Sequence, residues 1–384
     1  MVINNVRLVD TDAPVNVRTA DNRIADVTQS EISFSTDKLQ LNFNNALLFP
    51  GLINSHDHLD FNLFPPLGDR IYSSYTQWGT YIHENYKNEI AKVMKVPVTL
   101  REQWGMIKNL LGGVTTVVNH GEKVQTTDRL ITVHEDYYCL HSVKFEDNWK
   151  LKLNNPLKQK YPVVIHVGEG SDEAATKEID ELIAWNKLNK PLIGVHAVAM
   201  SDKQARNFEA IVWCPQSNYF LLDRTAPIKN LKNHTNILFG TDSTLTGTWD
   251  IWEHISLARN TEMLTDEELY NSLHVNPASA WKTNNQGTNI NSDADLVVAK
   301  IDPGKKGMDA FFSVQSKDIQ LVMHQGNIRL FDSSIYSQLT QTDLSGFSKI
   351  TIDGATKYIY GDIPALVNQI KEHYPEASIP IALN

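Results

Sequence analysis

Cysteine is nearly absent. Cys139 and Cys214 are the two in 384 residues, which excludes a disulfide framework and a cysteine-built zinc knuckle. Long hydrophobic runs are missing too: no apolar stretch approaches the roughly 18 residues of a bilayer-spanning helix, so no membrane partner is expected. Clusters of basic residues are lacking as well. Lys and Arg number 35 against 45 Asp and Glu, for a formal net charge of −10. Without grouped cations to neutralise phosphates, nucleic acid is not an expected partner. The opening residues MVINNVRLVDTDAP have neither the basic nor the apolar segment of a secretory signal. The expectation is a soluble cytoplasmic protein, with a homodimer as the default assembly. Its 384 residues are enough for one large α/β barrel, alone or with a smaller companion, and its 41% hydrophobic and 21% charged residues are those of an ordinary globular protein.

The pattern changes twice along the chain. Up to residue 50 it reads as short strands and turns: VINNVRLVD alternates, NRIADVTQ follows a turn, and LQLNFNNALLFP runs into Pro-Gly. From 51, apolar strands alternate with helical periods: GVTTVVNHG, YPVVIHVGEG, the helix KEIDELIAWNKLN, then PLIGVHAV, AIVWCPQSN and NILFGTDS. That alternation predicts a (β/α) barrel or a doubly wound sheet. The stretch from 120 to 160 is short for two full β/α units, so a compressed unit is expected there. Beyond about 283, short strands return in ADLVVAKI, AFFSVQS and IQLVMHQGNIRLF. The organisation expected is therefore an imperfect (β/α)8 barrel over 51–282 with a small β-sandwich from 1–50 and 283–340. A carboxy-terminal extension over 341–384 would carry a helix at IPALVNQIKEHYP.

In a parallel barrel the carboxyl ends of the strands carry the chemistry. Four of these strands end in an imidazole or a carboxylate: His56 and His58, then His166 with Glu169 three residues on, then His196, then Asp242. Residues i and i+2 of a strand point the same way, so His56 and His58 can share one ion while Asp57 faces away. Imidazole nitrogen and carboxylate oxygen suit one divalent ion, zinc first and iron second. An ion held by three histidines and an aspartate keeps a position for water and lowers its pKa, giving a hydroxide nucleophile. Glu169 is placed to shuttle the proton.

One HxH alone is weak, but the ordered set is specific. PGLINSHDH, HVGEG, GVH and FGTDS together resemble the amidohydrolase superfamily, most closely its mononuclear branch of heterocycle deaminases and chlorohydrolases. LLGGVTTVV, CPQSN, VNPASAW and GTNINSDADLVV extend the likeness over nearly the whole chain. The resemblance implies His56, His58, His166 and Asp242 as metal ligands and Glu169 as the acid/base. It implies His196 as a hydrogen-bonding partner of substrate or water, and Asp242 as acceptor of the water's proton. The activity implied is hydrolysis of a non-peptide carbon–nitrogen bond, foremost deamination of an amino-substituted heterocycle. Hydrolysis of a cyclic amide of the imidazolone type on the same site is the alternative, and a catalytically silent scaffold the third reading.

Other residues are weaker candidates. Lys144 could bridge two metals, but the His-x-x-Glu pattern belongs with a single ion. The aromatic segment after HxH supplies Phe61 and Trp78 as candidate substrate contacts, since loops after barrel strands build pockets. Asn218 and His120 are further candidates for the pocket. Asn119 and Ser243 are expected to orient ligands, and Cys214 to be buried packing.

Overall fold

Alternation makes the first strands, and its loss marks where the chain dives inward. A computed structural model describes residues 1–30, 39–127, 129–284 and 287–383. Strands β1 (Val2–Leu8), β2 (Pro14–Ala20), β3 (Arg23–Thr28) and β4 (Gln40–Pro50) come first. The first half of β4 alternates between exposed and buried, whereas its last five residues are all buried. Leu47 and Phe49 enter the main core on one face, and Ala46 and Leu48 enter a second core on the other. Burying each such Leu or Phe contributes about 1.5–3 kcal/mol.

β4 joins both ends of the chain. It pairs in parallel with β1 (Leu8 opposite Leu48) and antiparallel with β13 (Leu296–Lys300; Val298 opposite Leu48). Beyond β13 lie β14 (Ile319–His324), β15 (Asn327–Asp332), β16 (Phe347–Ile352), β17 (Ala355–Tyr360) and β18 (Ala382–Leu383). All are hydrogen-bonded into one ten-stranded sheet in the order β18-β16-β17-β15-β14-β13-β4-β1-β2-β3. The sequence suggests a sandwich from both chain ends and a separate tail; among the described residues the strands of both ends and of the tail are hydrogen-bonded into one continuous network. The reason is pairing across that boundary: β17 takes the free edge of β15, Ile359 opposite Leu330. The expected tail helix is present at Ile363–His373, capped by Asp362, and Leu366, Val367 and Ile370 reach the main core.

Between the two ends the fold is mixed α/β with parallel strands. β5 (Leu52–Asp57), β6 (Val114–Asn119) and β7 (Thr132–His134) form one parallel sheet. β8 (Tyr138–Ser142), β9 (Val163–Val167), β10 (Leu192–His196), β11 (Ala210–Trp213) and β12 (Asn236–Phe239) form another. The expected compression lies at β7 and β8, which follow one another across residues 135–137 with no helix between. Helices Val98–Leu111 and Glu173–Trp185 make normal crossovers before β6 and β10. No helix among the described residues is long and apolar enough to cross a membrane.

Candidate metal centre and its cavity

The strand ends bring the predicted groups together. His56 Nε2 and His58 Nε2 each stand 3.6 Å from Asp242 Oδ1, and His166 Nε2 is 3.2 Å from His56 Nε2. Four donors on a tetrahedron with bonds of about 2.1 Å lie about 3.4 Å apart, so these spacings fit a single small cation. Two overlapping groups have ligand atoms mutually within 4.8 Å: His56, His120 and His166, and His56, His196 and Asp242. His166 Nδ1 donates to the His141 carbonyl at 2.8 Å, which leaves Nε2 as the free lone pair. The buried Nδ1 of His56 and both ring nitrogens of His120 have no protein partner.

Burial sets the protonation states. It drives His58 down to about 4 and His196 down to about 3, against the pull of the Asp242 carboxylate. His166 lies well below its ordinary range through burial and the imidazoles of His120 and His56. Neutral imidazoles are the form that ligates. Burial alone would raise Asp242, but hydrogen bonding and charge from His56, then charge from His58 and His196, hold it well below the usual carboxylate range. Ser217 Oγ (2.8 Å), Thr246 Oγ1 (3.1 Å) and the Ser243 amide (2.9 Å) also donate to it. These neutral donors favour the anion whatever the imidazoles carry. His196 and Asp242 both have left-handed backbones, φ 72° and 59°. Hydrogen bonds to neighbouring strands flank each: Ala197 N to Val167 O, and Asp242 N to His56 O, both 3.0 Å.

Glu169 faces the same space, with Oε2 3.6 Å from His196 Nε2. Burial, then the negative charge of Asp242 and Glu178, pushes its carboxyl well above the usual carboxylate range. Asn218 Nδ2 donates to His196 Nδ1 at 2.9 Å, placing the ring proton on Nε2, and Thr225 Oγ1 donates to Asn218 Oδ1 at 3.1 Å. The turn that carries Glu169 is clamped from behind. Gly168, at φ 63°, donates its amide to Glu178 Oε1 at 2.7 Å, and Tyr75 Oη donates to Oε2 at 3.3 Å. A Cβ at Gly168 would lie 2.7 Å from Ile179 Cδ1, so glycine is required on two counts. Burial raises Glu178 to about 7. Its folded pKa therefore exceeds its unfolded value, and the associated stability is full below about pH 4.5 and lost as pH rises through 7. Relative to Glu178→Gln, the wild type is expected to lose about 3 kcal/mol of unfolding free energy across that window. Denaturant titrations of both proteins at pH 4.5 and 8 measure this; parallel pH dependences would refute it.

Asp57 does face away from the histidines, and it is the hub of a buried polar network. Its Oδ2 accepts from Lys108 Nζ at 2.9 Å and Asn109 Nδ2 at 2.7 Å, and its Oδ1 accepts from Asn62 Nδ2 at 2.8 Å. Asn54 Nδ2 donates to Thr241 Oγ1 (2.8 Å), and the Thr241 amide donates back to Asn54 Oδ1 (3.0 Å). The network ties HxH to the residue preceding Asp242. Side chains of Lys108 and Asp57 are 1% and 0% exposed.

Above the donors opens a cavity of about 630 Å³ lined at its base by His58, His166, His196, Glu169 and Asp242. Phe61 and Trp78 line it; Phe61 stacks on His58 at 5.4 Å, and Trp78 Nε1 donates to Leu67 O at 2.6 Å. Asn218 is placed differently from expectation: fully buried, it supports His196 from behind instead of meeting the cavity. His120 likewise sits below the wall, its ring 4.0 Å from that of His166. Lys144 is exposed, whereas His56, His166 and Asp242 are buried. Asn119 Oδ1 accepts the Leu59 amide at 2.9 Å, just after His58. Cys214 is buried and its thiol pushed well up by burial, hence inert. Lys108, Glu178 and Thr246 give no signal in the sequence: their helix or loop positions carry no periodic or motif mark. Ser217, though inside CPQSN, is not singled out there.

No family model matches the chain. A 5-methylthioadenosine/S-adenosylhomocysteine deaminase of Caldicellulosiruptor saccharolyticus is 24% identical over 336 residues, 72% of this chain and 78% of that protein. A namesake from Pyrococcus furiosus is 25% identical over 252 residues, 58% of each chain. Among solved structures, an adenosine deaminase from Xanthomonas campestris with bound zinc superposes with TM-score 0.72 at 14% identity, covering 98% of both chains. An atrazine chlorohydrolase from Arthrobacter aurescens TC1 complexed with zinc gives TM-score 0.70 at 13% identity, over 97% of this chain and 100% of that one.

Proposed function

We propose that this chain, which resembles deaminases and chlorohydrolases of the amidohydrolase superfamily in sequence and fold, is a metal-dependent aminohydrolase that removes an amino group from an aromatic heterocycle. One observation carries the reading: a His/Asp donor set spaced for a small cation shares its cavity with the buried Glu169 carboxyl, which stands 3.6 Å from His196 Nε2. We assign His56, His58, His166 and Asp242 as ligands of one divalent ion, zinc by analogy with the zinc-bound neighbours. Such an ion supplies Lewis-acid polarisation and lowers the pKa of water. Asp242, kept anionic, accepts a proton from the attacking water. Glu169 delivers its proton to the ring nitrogen; the proton taken up by Asp242 then passes to the leaving amine, and the hydroxyl proton of the collapsing adduct returns to Glu169. His196, its Nε2–H set by Asn218, donates a hydrogen bond to the atom that gains charge. Phe61 and Trp78 offer flat apolar faces to the ring.

The eight parallel strands, in this reading, close as one imperfect barrel. Support comes from a single apolar cluster drawing Ile53 and Val118 from one sheet and Val164, Val195, Val212 and Leu238 from the other. The Thr241 and Asp242 amides also donate to His56 O across the seam between β12 and β5.

The test is ammonia release over aminopurines, aminopyrimidines, pterins and aminotriazines, with metal measured on the same sample. Metal near one equivalent and ammonia from at least one ring class are expected. His166→Ala and Asp242→Ala should each lose the metal and drop turnover to background. Unimpaired turnover in both variants rejects the ligand assignment.

A further inference from the structure

The cavity also constrains what the substrate carries besides its ring. Its polar groups are unevenly distributed. Ser243 and Thr246 bond Asp242 among the titratable donors, whereas Trp78, Ile82, Ile90, Met94, Phe145 and Leu221 give the rest of the lining a largely apolar surface. Among the described lining residues there is no Lys or Arg, and Glu169 and Asp242 are the sole carboxylates. Both carboxylates belong to the base. Thr80, His83, His141 and Tyr75, whose hydroxyl is engaged by Glu178, are the other polar side chains of the lining.

The mouth presents unusual surface. Met94 and Phe145 are 51% and 52% exposed, and they reach the same cavity from segments far apart in sequence. Large apolar side chains at the rim of a cavity are surface that a ligand can cover. At about 630 Å³ the cavity lies in the range that encloses drug-sized molecules, well beyond a bare heterocycle. A ring seated against Glu169 and the histidines would leave the apolar wall to something else on the same molecule.

We infer that the substrate is an amino-substituted aromatic heterocycle bearing a neutral, apolar arm several atoms long, and that arms ending in an ammonium or a carboxylate are rejected. Two effects act in the same direction. Each methylene buried against the wall is worth about fourfold in affinity. A charged terminus would lose its water with no countercharge on the wall to replace it. This inference rests on the aminohydrolase reading for the ring, but the arm is assigned from the wall alone.

The experiment uses the metal-loaded protein at pH 8, where an imidazole of ordinary pKa is neutral. Matched 6-aminopurines and amino-s-triazines carrying butyl, 4-ammoniobutyl or 3-carboxypropyl arms are compared by calorimetric binding and by ammonia release. The butyl compound of at least one ring is expected to bind at least 100-fold more tightly than both of its charged analogues. Charged arms binding within tenfold of butyl would overturn the inference, as would absence of binding by both butyl compounds. An apolar preference in binding with no ammonia from any compound leaves the arm assignment standing and refutes the deaminase reading. Ammonia released without regard to the arm does the reverse. A second arm of the test is Met94→Arg, an exposed position where folding should survive. It is expected to weaken the butyl compound and to improve the 3-carboxypropyl one at least tenfold; equal losses on both count against the inference.

Discussion

Glu169→Gln should lower kcat by about 10²–10⁴ while leaving metal content and substrate KM near wild type. The carboxyl lies at the base of the cavity, 3.6 Å from His196 Nε2, and outside the set of atoms spaced for a cation. Burial beside Asp242 and Glu178 pushes it well above the usual carboxylate range, and glutamine preserves its size and a hydrogen-bond donor but cannot give up a proton. A loss confined to kcat separates proton transfer from binding. Wild-type kcat in this variant would remove Glu169 from the mechanism. Loss of metal alongside activity would instead place it among the ligands.

Lys108→Met should cost about 3–5 kcal/mol of stability, because it strands the Asp57 carboxylate in an interior with no countercharge. Both side chains are essentially without solvent contact, and the ammonium also bonds Asn62 Oδ1 at 3.1 Å. The damage should spread to the centre, since Asp57 sits between His56 and His58 and its network reaches Thr241 beside Asp242. Metal affinity is therefore expected to fall about 10–100-fold, the usual cost of losing a group that orients ligands. Adding Asp57→Asn should recover at least half of the stability, as the uncompensated charge disappears. Denaturant unfolding and competitive zinc titration measure the two effects. A single variant within 1 kcal/mol of wild type would show that the pair carries no such role.

The groups at the strand ends are legible in the chain because strand chemistry is local. An apolar run ending in a polar residue marks a barrel-type strand terminus, and period-two alternation puts His56 and His58 together with Asp57 opposed. HVGE, GVH and FGTD are each contiguous, so four short segments suffice to point to His166, Glu169, His196 and Asp242. The short interval between 120 and 160 likewise foretells the direct succession of β7 and β8, since chain length bounds what can fit. The tail is harder to read for a related reason. β16 and β17 alternate weakly, and these strands owe their place to hydrogen bonds with neighbours such as β15 that no single residue encodes.

The kind of chemistry is thus written in the order of residues: which side chains end which strands, and that they suit a cation and a proton carrier. How those groups are held is a matter of tertiary packing alone. Lys108 on a helix neutralises Asp57 on a strand 51 positions away, and Glu178 grips the Gly168 amide ten residues back. Asn218, expected at the pocket, orients His196 from behind. The physical reason is common to all three. A buried polar group must find its partner in space, and partners brought together by packing leave no periodic trace along the chain.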